Sequence, residues 1–484
     1  MGSRIKLFVL NLIFAVSLIP CSVEGQDANT AFQNSLYGII SLDTTKTDSL
    51  LVALKNSKER AYLQHYKIFL DRMVMGQLPT DYNKRLENIT GIIEKDSSFD
   101  ERTLAFLSEI YLQKGIMEFS ADNQRTAVFS FFKAYRLWRK SKREHPRLTD
   151  NIKLTGIFNL LMCNMPQPYK KMAGWIGFTG DHAIGFNALK TYQYVNDRQL
   201  GSKQEALLYL AFSYLKFDID EKRIENLILD ASFEDLLPLT RFIVTRCAFK
   251  IRKPVLDNTW LKDSVTAGFL PLLYLRGKYK VLTLDSTGIK DLAEFSVKNT
   301  SGQFLADACR YRSWQLFLKG DTSGYMQQQN LIKQLGKYPT WEDKQARYES
   351  MLNQIPNDKL LCARLLFDAG KYQVAVDSLL KMEPKTFHTQ NQQIEFQYRL
   401  GRCYHMLKQN TTAIFHYTEA IKLGDSDTRY FAPYAALYTA ELHMQENPVT
   451  ARFYLKEAKR LNNGEHQASV ERKIELLNEL LNNH

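Results

Sequence analysis

The chain contains few residues that interrupt helices. Its 484 residues include 13 prolines and 23 glycines, and most of these stand between periodic runs of apolar residues. Strict alternation of apolar and polar residues, which indicates β-strands, is scarce. Apolar residues instead recur three and four positions apart, as in "TLAFLSEIYLQKG", "EALLYLAFSYLKF" and "KIELLNELL". The sequence therefore predicts an all-α protein.

Cysteine is also scarce, with 6 residues in the whole chain. The five that follow the N-terminal segment are widely scattered, and their odd number argues against a disulfide framework. No pair has the C-x-x-C spacing of a zinc or redox site. We expect them to be small core residues: Cys163, Cys247, Cys309, Cys362 and Cys403.

Long apolar runs are absent except near the N-terminus. The run that ends at Ile19 follows two basic residues, Arg4 and Lys6, and is shorter than the roughly 20 residues that span a bilayer. Val23 and Gly25 precede a cleavage point at Gln26, as in a secretory signal peptide. Residues 1–25 are therefore predicted to be a signal peptide, and the mature protein to be exported to the periplasm or cell envelope.

An alternative to cleavage at Gln26 is a lipid anchor on Cys21. The stretch "LIPC" resembles a lipobox, but Pro20 stands where that motif has Gly, Ala or Ser. Membrane association through a lipidated Cys21 is therefore an alternative that the sequence does not favour.

Catalytic motifs are missing as well. The chain has no H-E-x-x-H, no G-x-S-x-G and no histidine cluster with metal spacing. The glycines of "GWIGFTGD" match neither G-x-G-x-x-G nor the P-loop, and no strand precedes them. The sequence predicts a protein that is not an enzyme and that has no cofactor, catalytic residue or metal site.

The formal net charge is +12, and the densest basic cluster is "RLWRKSKREHPR". Such a segment could bind an anionic surface, and because an exported protein rarely meets nucleic acid, anionic lipid or glycan is the expected ligand. A solvated helix end is the alternative, since cations are stabilised at the carboxyl end of a helix. The basic segment consists of Arg136, Arg139, Lys140, Lys142 and Arg143.

A repeat runs through the C-terminal third of the chain. Three alanines, Ala375, Ala413 and Ala451, lie 38 residues apart with apolar residues in register around them. The best unit resembles the tetratricopeptide (TPR) repeat pattern L-G-x-x-Y…A-x-x-x-[FY]-x-x-A, whose usual period is about 34 residues. It is carried by Leu400, Gly401, Tyr404, Ala413, Tyr417 and Ala420.

The TPR resemblance implies an α-solenoid of antiparallel helix pairs. Weaker copies extend through residues 26–340, and residues 341–484 hold the clear repeats, with a boundary at "GKYPTWEDK", where Pro339 interrupts the helical periodicity. Helices are also expected to end at the glycines of "YLQKG", "YLRG", "LFLKG" and "LFDAG", because Gly adopts the left-handed conformation at low cost.

In the same register, "GWIGFTGD" is predicted to belong to a tight helical hairpin. Gly180 forms the turn, Asp181 caps the second helix, and Gly185 packs closely against a first helix that contains Ala173. Trp175 is expected in the core.

A longer stretch, "MAGWIGFTGDHAIGFNAL", is similar to a divergent helical-repeat family that includes the eukaryotic inclusion-body-clearance proteins, with Phe186 in place of the final Leu of G-F-x-G-D-x-x-x-G-L. This resemblance implies a long TPR-like chain and transfers no active site. The signal peptide suggests an exported bacterial protein of a Bacteroides-like group, so a cytosolic role is not expected.

The TPR resemblance implies a concave groove lined by the first helix of each unit. Arginine suits a carboxylate, and neighbouring aromatics can anchor a peptide side chain, although these arginines could instead pair with nearby acids. The predicted function is a non-enzymatic scaffold or adaptor that binds a peptide or protein of the cell envelope. Binding of anionic lipid or glycan by the basic segment is the alternative. The predicted groove residues are Tyr398, Arg402, His405, Arg364, Phe367 and His443.

Overall fold

The computed structural model describes residues 23–76, 78–95, 100–121, 123–165, 170, 174, 177, 179–217, 220–231, 236–253, 269–382, 387 and 389–482. Most of the predicted signal peptide lies outside these ranges, as do Cys21, Ala173 and Trp175, so the predictions about them stay predictions. Within the described ranges, no helix has both the length and the apolar content needed to cross a membrane.

The protein is all-α, as the periodicity predicts, with 23 helices and no strand in the described part of the chain. The first eleven helices are α1 (Val23–Ile40), α2 (Thr44–Ala53), α3 (Ser57–Met75), α4 (Tyr82–Lys95), α5 (Thr103–Ser120), α6 (Gln124–Glu144), α7 (Thr149–Asn164), α8 (His182–Val195), α9 (Leu200–Phe217), α10 (Glu221–Asp230) and α11 (Pro238–Lys250). The remaining twelve are α12 (Leu270–Leu282), α13 (Gly288–Lys298), α14 (Leu305–Leu318), α15 (Thr322–Gln334), α16 (Trp341–Met351), α17 (Asp358–Asp368), α18 (Tyr372–Leu380), α19 (Gln390–Met406), α20 (Asn410–Leu423), α21 (Phe431–His443), α22 (Pro448–Leu461) and α23 (Gln467–Asn482).

The chain divides into two compact units, Met1–Cys247 and Ala248–His484, here called the N-terminal and C-terminal units. This division falls within α11, whereas the boundary predicted from the sequence lies at residues 337–344. There the structure has the start of α16, whose N-cap Thr340 exchanges hydrogen bonds with Asp343 in a capping box.

In the N-terminal unit, the first helices of five consecutive pairs form a closed ring. Helices α1, α3, α5, α7 and α9 contact one another in that order, and α9 also packs against α1. At the closure, the backbone N–H of Ser202 donates to Oε1 of Gln33 at 2.8 Å. Gly201 lies so close to α1 that a Cβ there would be 2.4 Å from the carbonyl oxygen of Gln33. The ring thus brings side chains from five inner helices to a shared interior.

In the C-terminal unit, first helices form an open row instead. Helices α12, α14, α17, α19, α21 and α23 contact one another in succession, and α13, α15, α18, α20 and α22 pack beside them. The repeat alanines Ala375, Ala413 and Ala451 are all 0% exposed. A Cβ on Gly401 would lie 2.5 Å from the ring of Tyr417. The 38-residue spacing therefore marks small residues buried in the packed interior of this unit.

The four glycines predicted to end helices have two different roles. Gly320 and Gly370 follow α14 and α17 with φ of 82° and 74°, as predicted. The prediction was wrong for Gly115 and Gly277, which lie inside α5 and α12. A Cβ at either position would be 2.7 Å from a side chain of the next helix, Phe131 or Leu292, so close packing explains these two glycines.

The predicted hairpin around Asp181 is confirmed at its second helix. The carboxylate of Asp181 accepts a hydrogen bond from the backbone N–H of Ile184 at 2.8 Å and caps α8. Gly185 packs closely, but its neighbour is α7, where the side chain of Leu160 would lie 2.7 Å from an added Cβ. The close partner is therefore a helix earlier in the chain than the position predicted at Ala173.

This contact predicts the effect of filling the space at Gly185. The variant Gly185→Ala should lower the free energy of unfolding by about 1–3 kcal/mol through overpacking, and Gly185→Leu should lower it further. The matched control is Gly91→Ala, because Gly91 lies inside α4 with nothing within 4 Å of an added Cβ. It should stabilise the protein by about 0.5–1 kcal/mol. Urea unfolding measures both, and stabilisation by Gly185→Ala would contradict the close contact.

Candidate functional site

A buried lysine lies at the centre of the closed ring. Lys153 on α7 is 1% exposed, and its Nζ lies 2.8 Å from Oε2 of Glu109 on α5 and 3.1 Å from Oε1 of Glu205 on α9. It also donates to the Tyr62 hydroxyl at 3.4 Å. Burial lowers the pKa of Lys153, but the two carboxylates outweigh this and raise it above its ordinary value. The lysine is therefore a paired ammonium, engaged by three other inner-helix residues.

The hydrogen bonds continue on one side of this lysine toward α4. Gln113 donates from Nε2 to Oε1 of Glu109 at 3.2 Å, and its Oε1 accepts from Nδ1 of His65 at 2.8 Å. The Tyr82 hydroxyl lies 3.2 Å from Nε2 of His65 and donates to it. Burial lowers the pKa of His65 to about 4. The imidazole is therefore neutral near pH 7.

On the other side, the network reaches α8. The Tyr192 hydroxyl donates to Oε2 of Glu205 at 2.6 Å. A neighbouring ion group surrounds Arg102, the residue before α5, whose Nε donates to Oδ2 of Asp150 at 3.1 Å and whose Nη1 donates to Glu59 at 3.2 Å. Both ion groups therefore use acids from different helices.

A cavity of about 160 Å³ lies beside these two ion groups within the ring. Most of its polar lining is buried, and the exposed Asn29 lies where the cavity meets the surface. The lining residues are Asn29, Phe32, Gln33, Leu36, Tyr62, Arg102, Leu148, Thr149, Asp150, Lys153, Tyr192, Asn196, Gln199, Ser202 and Glu205.

Sequence reasoning did not single out this site. The available signal was a lone charge inside an apolar helical run: Lys153 in "NIKLTGIF", Glu109 in "FLSEIYL" and Glu205 in "QEALLYL". A lone mid-helix charge of this kind is unusual in a core, because burying it unpaired is costly. Nothing in the local pattern, however, shows which charges meet.

Among the predicted groove residues, Arg402 occupies the most distinctive place. It is 8% exposed on α19, with its guanidinium carbon 3.8 Å from the ring centroid of Tyr438 and 5.2 Å from that of Phe367. No carboxylate of the described residues lies within ion-pair distance of it. Its charge is therefore compensated by aromatic faces and by a hydrogen bond with the Tyr417 side chain.

Arg364 on α17 has a different environment. Its Nη2 donates to Oε1 of Glu349 at 2.9 Å, and Arg310 donates to the same oxygen at 3.1 Å. Its guanidinium carbon lies 4.6 Å from the ring centroid of Trp314. Burial raises the pKa of Glu349, but the two arginines outweigh this and lower it to about 2. The alternative considered above, a pair with a nearby acid, is thus the observed contact of Arg364.

The other predicted groove residues are spread along the row of first helices. Tyr398 and Phe367 are buried, at 7% and 9% exposed, and pack in the core. His405 is half-buried, with Nδ1 3.2 Å from the Tyr417 hydroxyl. His443 is half-buried and stacks on Tyr454. The structure therefore joins Phe367 directly to Arg402, brings His405 near Arg402 through their shared neighbour Tyr438, and gives His443 a separate contact.

The basic segment lies at the end of α6, and all five of its cations are exposed. Arg143 lies 3.5 Å from Glu144, and Lys142 lies over the ring of Trp138 at 5.2 Å. Lys142 and Arg143 occupy the last turn, where the helix dipole favours cations.

Comparison with known proteins does not assign this chain. No protein-family model matches it, and no curated protein matches it. In the described ranges, no three His, Cys, Asp or Glu side chains are grouped so that they could hold a metal ion.

The buried ion group predicts a large effect for Lys153→Met. Removing the ammonium leaves Glu109 and Glu205 buried beside each other without a counter-charge, which should cost about 3–5 kcal/mol of unfolding free energy. The matched control is Lys203→Met on α9, whose pair with Asp197 at 3.1 Å is about half exposed. It should change stability by no more than about 1 kcal/mol. Equal effects of the two substitutions would show that the buried pair is not formed.

The neutral state of His65 predicts a pH dependence. Because its pKa is about 4 in the folded protein and about 6.5 when unfolded, the unfolded chain binds the proton first as the pH falls. The stability associated with neutral His65 is complete above about pH 6.5 and is lost toward pH 4, a loss of about 2 kcal/mol by pH 5.

Urea unfolding at about pH 7.5 and about pH 5 measures this loss. The variant His65→Gln should lose less stability between the two pH values than the wild type. The exposed His182→Gln serves as the control and should keep the wild-type difference. An unchanged difference in His65→Gln would contradict the neutral buried imidazole.

Proposed function

We propose that this protein is a non-enzymatic scaffold that binds a peptide or protein partner on the first helices of its C-terminal unit. Arg402 receives a carboxylate of the partner. The observation that carries this proposal is a nearly buried guanidinium that has aromatic neighbours and no acid partner among the described residues. A cation is stabilised by aromatic faces, but a carboxylate adds charge-assisted hydrogen bonds that rings cannot supply.

A row of alternating cations and aromatic rings supports the proposal. Arg364 lies over Trp314, Arg402 lies over both Phe367 and Tyr438, and Lys473 lies over Tyr438 at 4.3 Å. These residues come from α14, α17, α19, α21 and α23, which are neighbours in the row of first helices. The arrangement holds Arg402 in place before a partner arrives, and preorganisation reduces the ordering cost of binding.

The contrast among these cations identifies the contact point. Arg364 is paired with Glu349, and Lys473 is paired with Glu441 at 3.0 Å. Arg402 lacks such an acid, so it gains most from a carboxylate brought by a partner. The half-buried Tyr438 and His405 beside it offer aromatic contact to an adjoining side chain. The partner segment is therefore an acidic side chain, or a free C-terminus, next to an apolar residue.

The sequence patterns support the same proposal. The TPR resemblance of residues 341–484 favours a protein-binding role, and the predicted signal peptide favours a partner in the cell envelope. The absence of catalytic motifs agrees with a scaffold rather than an enzyme.

The test compares Arg402→Gln with Arg472→Gln, which removes an exposed arginine from α23. Tagged proteins capture partners from envelope extracts of the host, and anisotropy then measures the affinity of labelled partner peptides. Arg402→Gln should weaken binding by about 30-fold or more, since truncating a buried charge pair costs about 2–5 kcal/mol, whereas Arg472→Gln should not.

Two further arms separate the charge from the fold. Arg402→Lys should bind with intermediate affinity, because it keeps the charge and loses the planar fork. Replacing the contacting carboxylate of the peptide by an amide should weaken wild-type binding as much as Arg402→Gln does. Unchanged partners and affinities in a folded Arg402→Gln protein would refute the proposal.

A further inference from the structure

The cavity of the N-terminal unit contains cations that are already engaged. Lys153 contacts Glu109, Glu205 and the Tyr62 hydroxyl. Arg102 pairs with both Glu59 and Asp150, and its guanidinium carbon lies 4.3 Å from the ring centroid of Phe32. An anionic ligand would therefore have to compete with carboxylates that are already in place.

Acids outnumber bases in these two ion groups. Four carboxylates surround two cations, which leaves a formal excess of two negative charges in a nearly buried site. Burial raises the pKa of Glu109 and of Glu59 although Lys153 and Arg102 lower them, and nearby carboxylates raise them further; at Asp150, the two cations outweigh burial and lower the pKa. A positive charge placed in the cavity would be favoured by the surrounding field.

The cavity is also lined by Asn196, whose side-chain oxygen has no hydrogen-bond donor among the described residues. Asn196 is 4% exposed, and its Nδ2 donates to the backbone oxygen of Tyr192 at 2.8 Å. Its side-chain oxygen accepts no hydrogen bond from the described residues, and Asn196 lines the cavity. The carboxylate of Asp150, which is 8% exposed, receives a hydrogen bond from Arg102 at Oδ2 and one from its own backbone N–H. The Asn196 oxygen is therefore an acceptor to which a bound ligand can donate a hydrogen bond.

We propose that this cavity binds a small organic cation that carries N–H donors, such as an alkylammonium or guanidinium compound. The N–H groups donate to Asn196 and Asp150, the positive charge offsets the excess of carboxylates, and the apolar part packs on the rings of Phe32, Tyr62 and Tyr192. An engineered cavity of about 150 Å³ holds benzene, so a ligand of about five to eight non-hydrogen atoms fits here. The site is separate from the partner-binding face and does not depend on it.

Calorimetry on the full chain tests this directly with n-butylammonium and methylguanidinium chloride at constant ionic strength. Both should bind with one-to-one stoichiometry. Two control compounds should bind about tenfold more weakly or worse: 1-butanol, which lacks the charge, and tetramethylammonium, which lacks the N–H donors. The proposal would be overturned if neither cation binds with a Kd below about 10 mM, or if 1-butanol binds as tightly as the cations.

A pair of variants locates the site. Asn196→Leu removes the unpaired acceptor and should weaken n-butylammonium binding by about tenfold or more. Asn187→Leu makes the same change on the exposed surface of α8 and should leave the affinity unchanged. Unchanged affinity in Asn196→Leu would contradict the assignment.

Hydrogen exchange keeps the test decisive if Asn196→Leu does not fold. In the wild-type protein, saturating n-butylammonium should slow amide exchange in α1, α7 and α9, which line the cavity, more than in α2 and α4, which supply no lining residue. Slowing elsewhere without slowing in α1, α7 and α9 would place the cation outside the cavity and refute the proposal.

Discussion

The interaction on which the N-terminal unit depends is the pairing of Lys153 with Glu109 and Glu205. An ammonium removed from water is stable only when opposite charges and hydrogen bonds replace its hydration shell. Since the three residues lie on α7, α5 and α9, this requirement holds three inner helices in one relative register. The closure of α9 on α1 through Gln33 and Ser202 completes the ring around them. The buried ion group therefore fixes the register of the inner helices, and the closed ring of helices keeps the ion group out of water.

Charge compensation is organised differently in the C-terminal unit. The first helices form an open row there, and its cations lie over aromatic rings, some with an acid partner and some without. Glu349 pairs with both Arg310 and Arg364, whereas Arg402 has aromatic rings and the Tyr417 side chain but no acid among the described residues. In both units, the group proposed to bind a ligand lacks one partner among the described residues. The cation of Arg402 lacks a carboxylate, and the side-chain oxygen of Asn196 lacks a hydrogen-bond donor. Each proposal therefore follows from a specific unmet interaction, and the two are independent of each other.

Much of the helical architecture could be predicted from the sequence, together with some of its packing. The buried Ala375, Ala413 and Ala451 follow directly from their common spacing, because close contact between paired helices needs small residues at regular intervals. Gly115 and Gly277 show the limit of such reasoning, since the same residue type ends a helix at one position and allows close packing at another. The acid partner of Arg364 could not be predicted, because Glu349 lies on a different helix.

What the sequence by itself determined is local: the all-α class, the capping of α8 by Asp181, and the close approach at Gly185. These features depend on residues within a few positions of one another, or on the absence of a side chain. Only the tertiary structure decided the ring, the cavity and the ion groups. Gln33 meets Ser202 across 169 residues, and Lys153 meets Glu205 across 52. No local pattern encodes such distances, because the same lone charge in a helix can face water, a neighbouring helix or a buried partner, and only the packed fold selects among them.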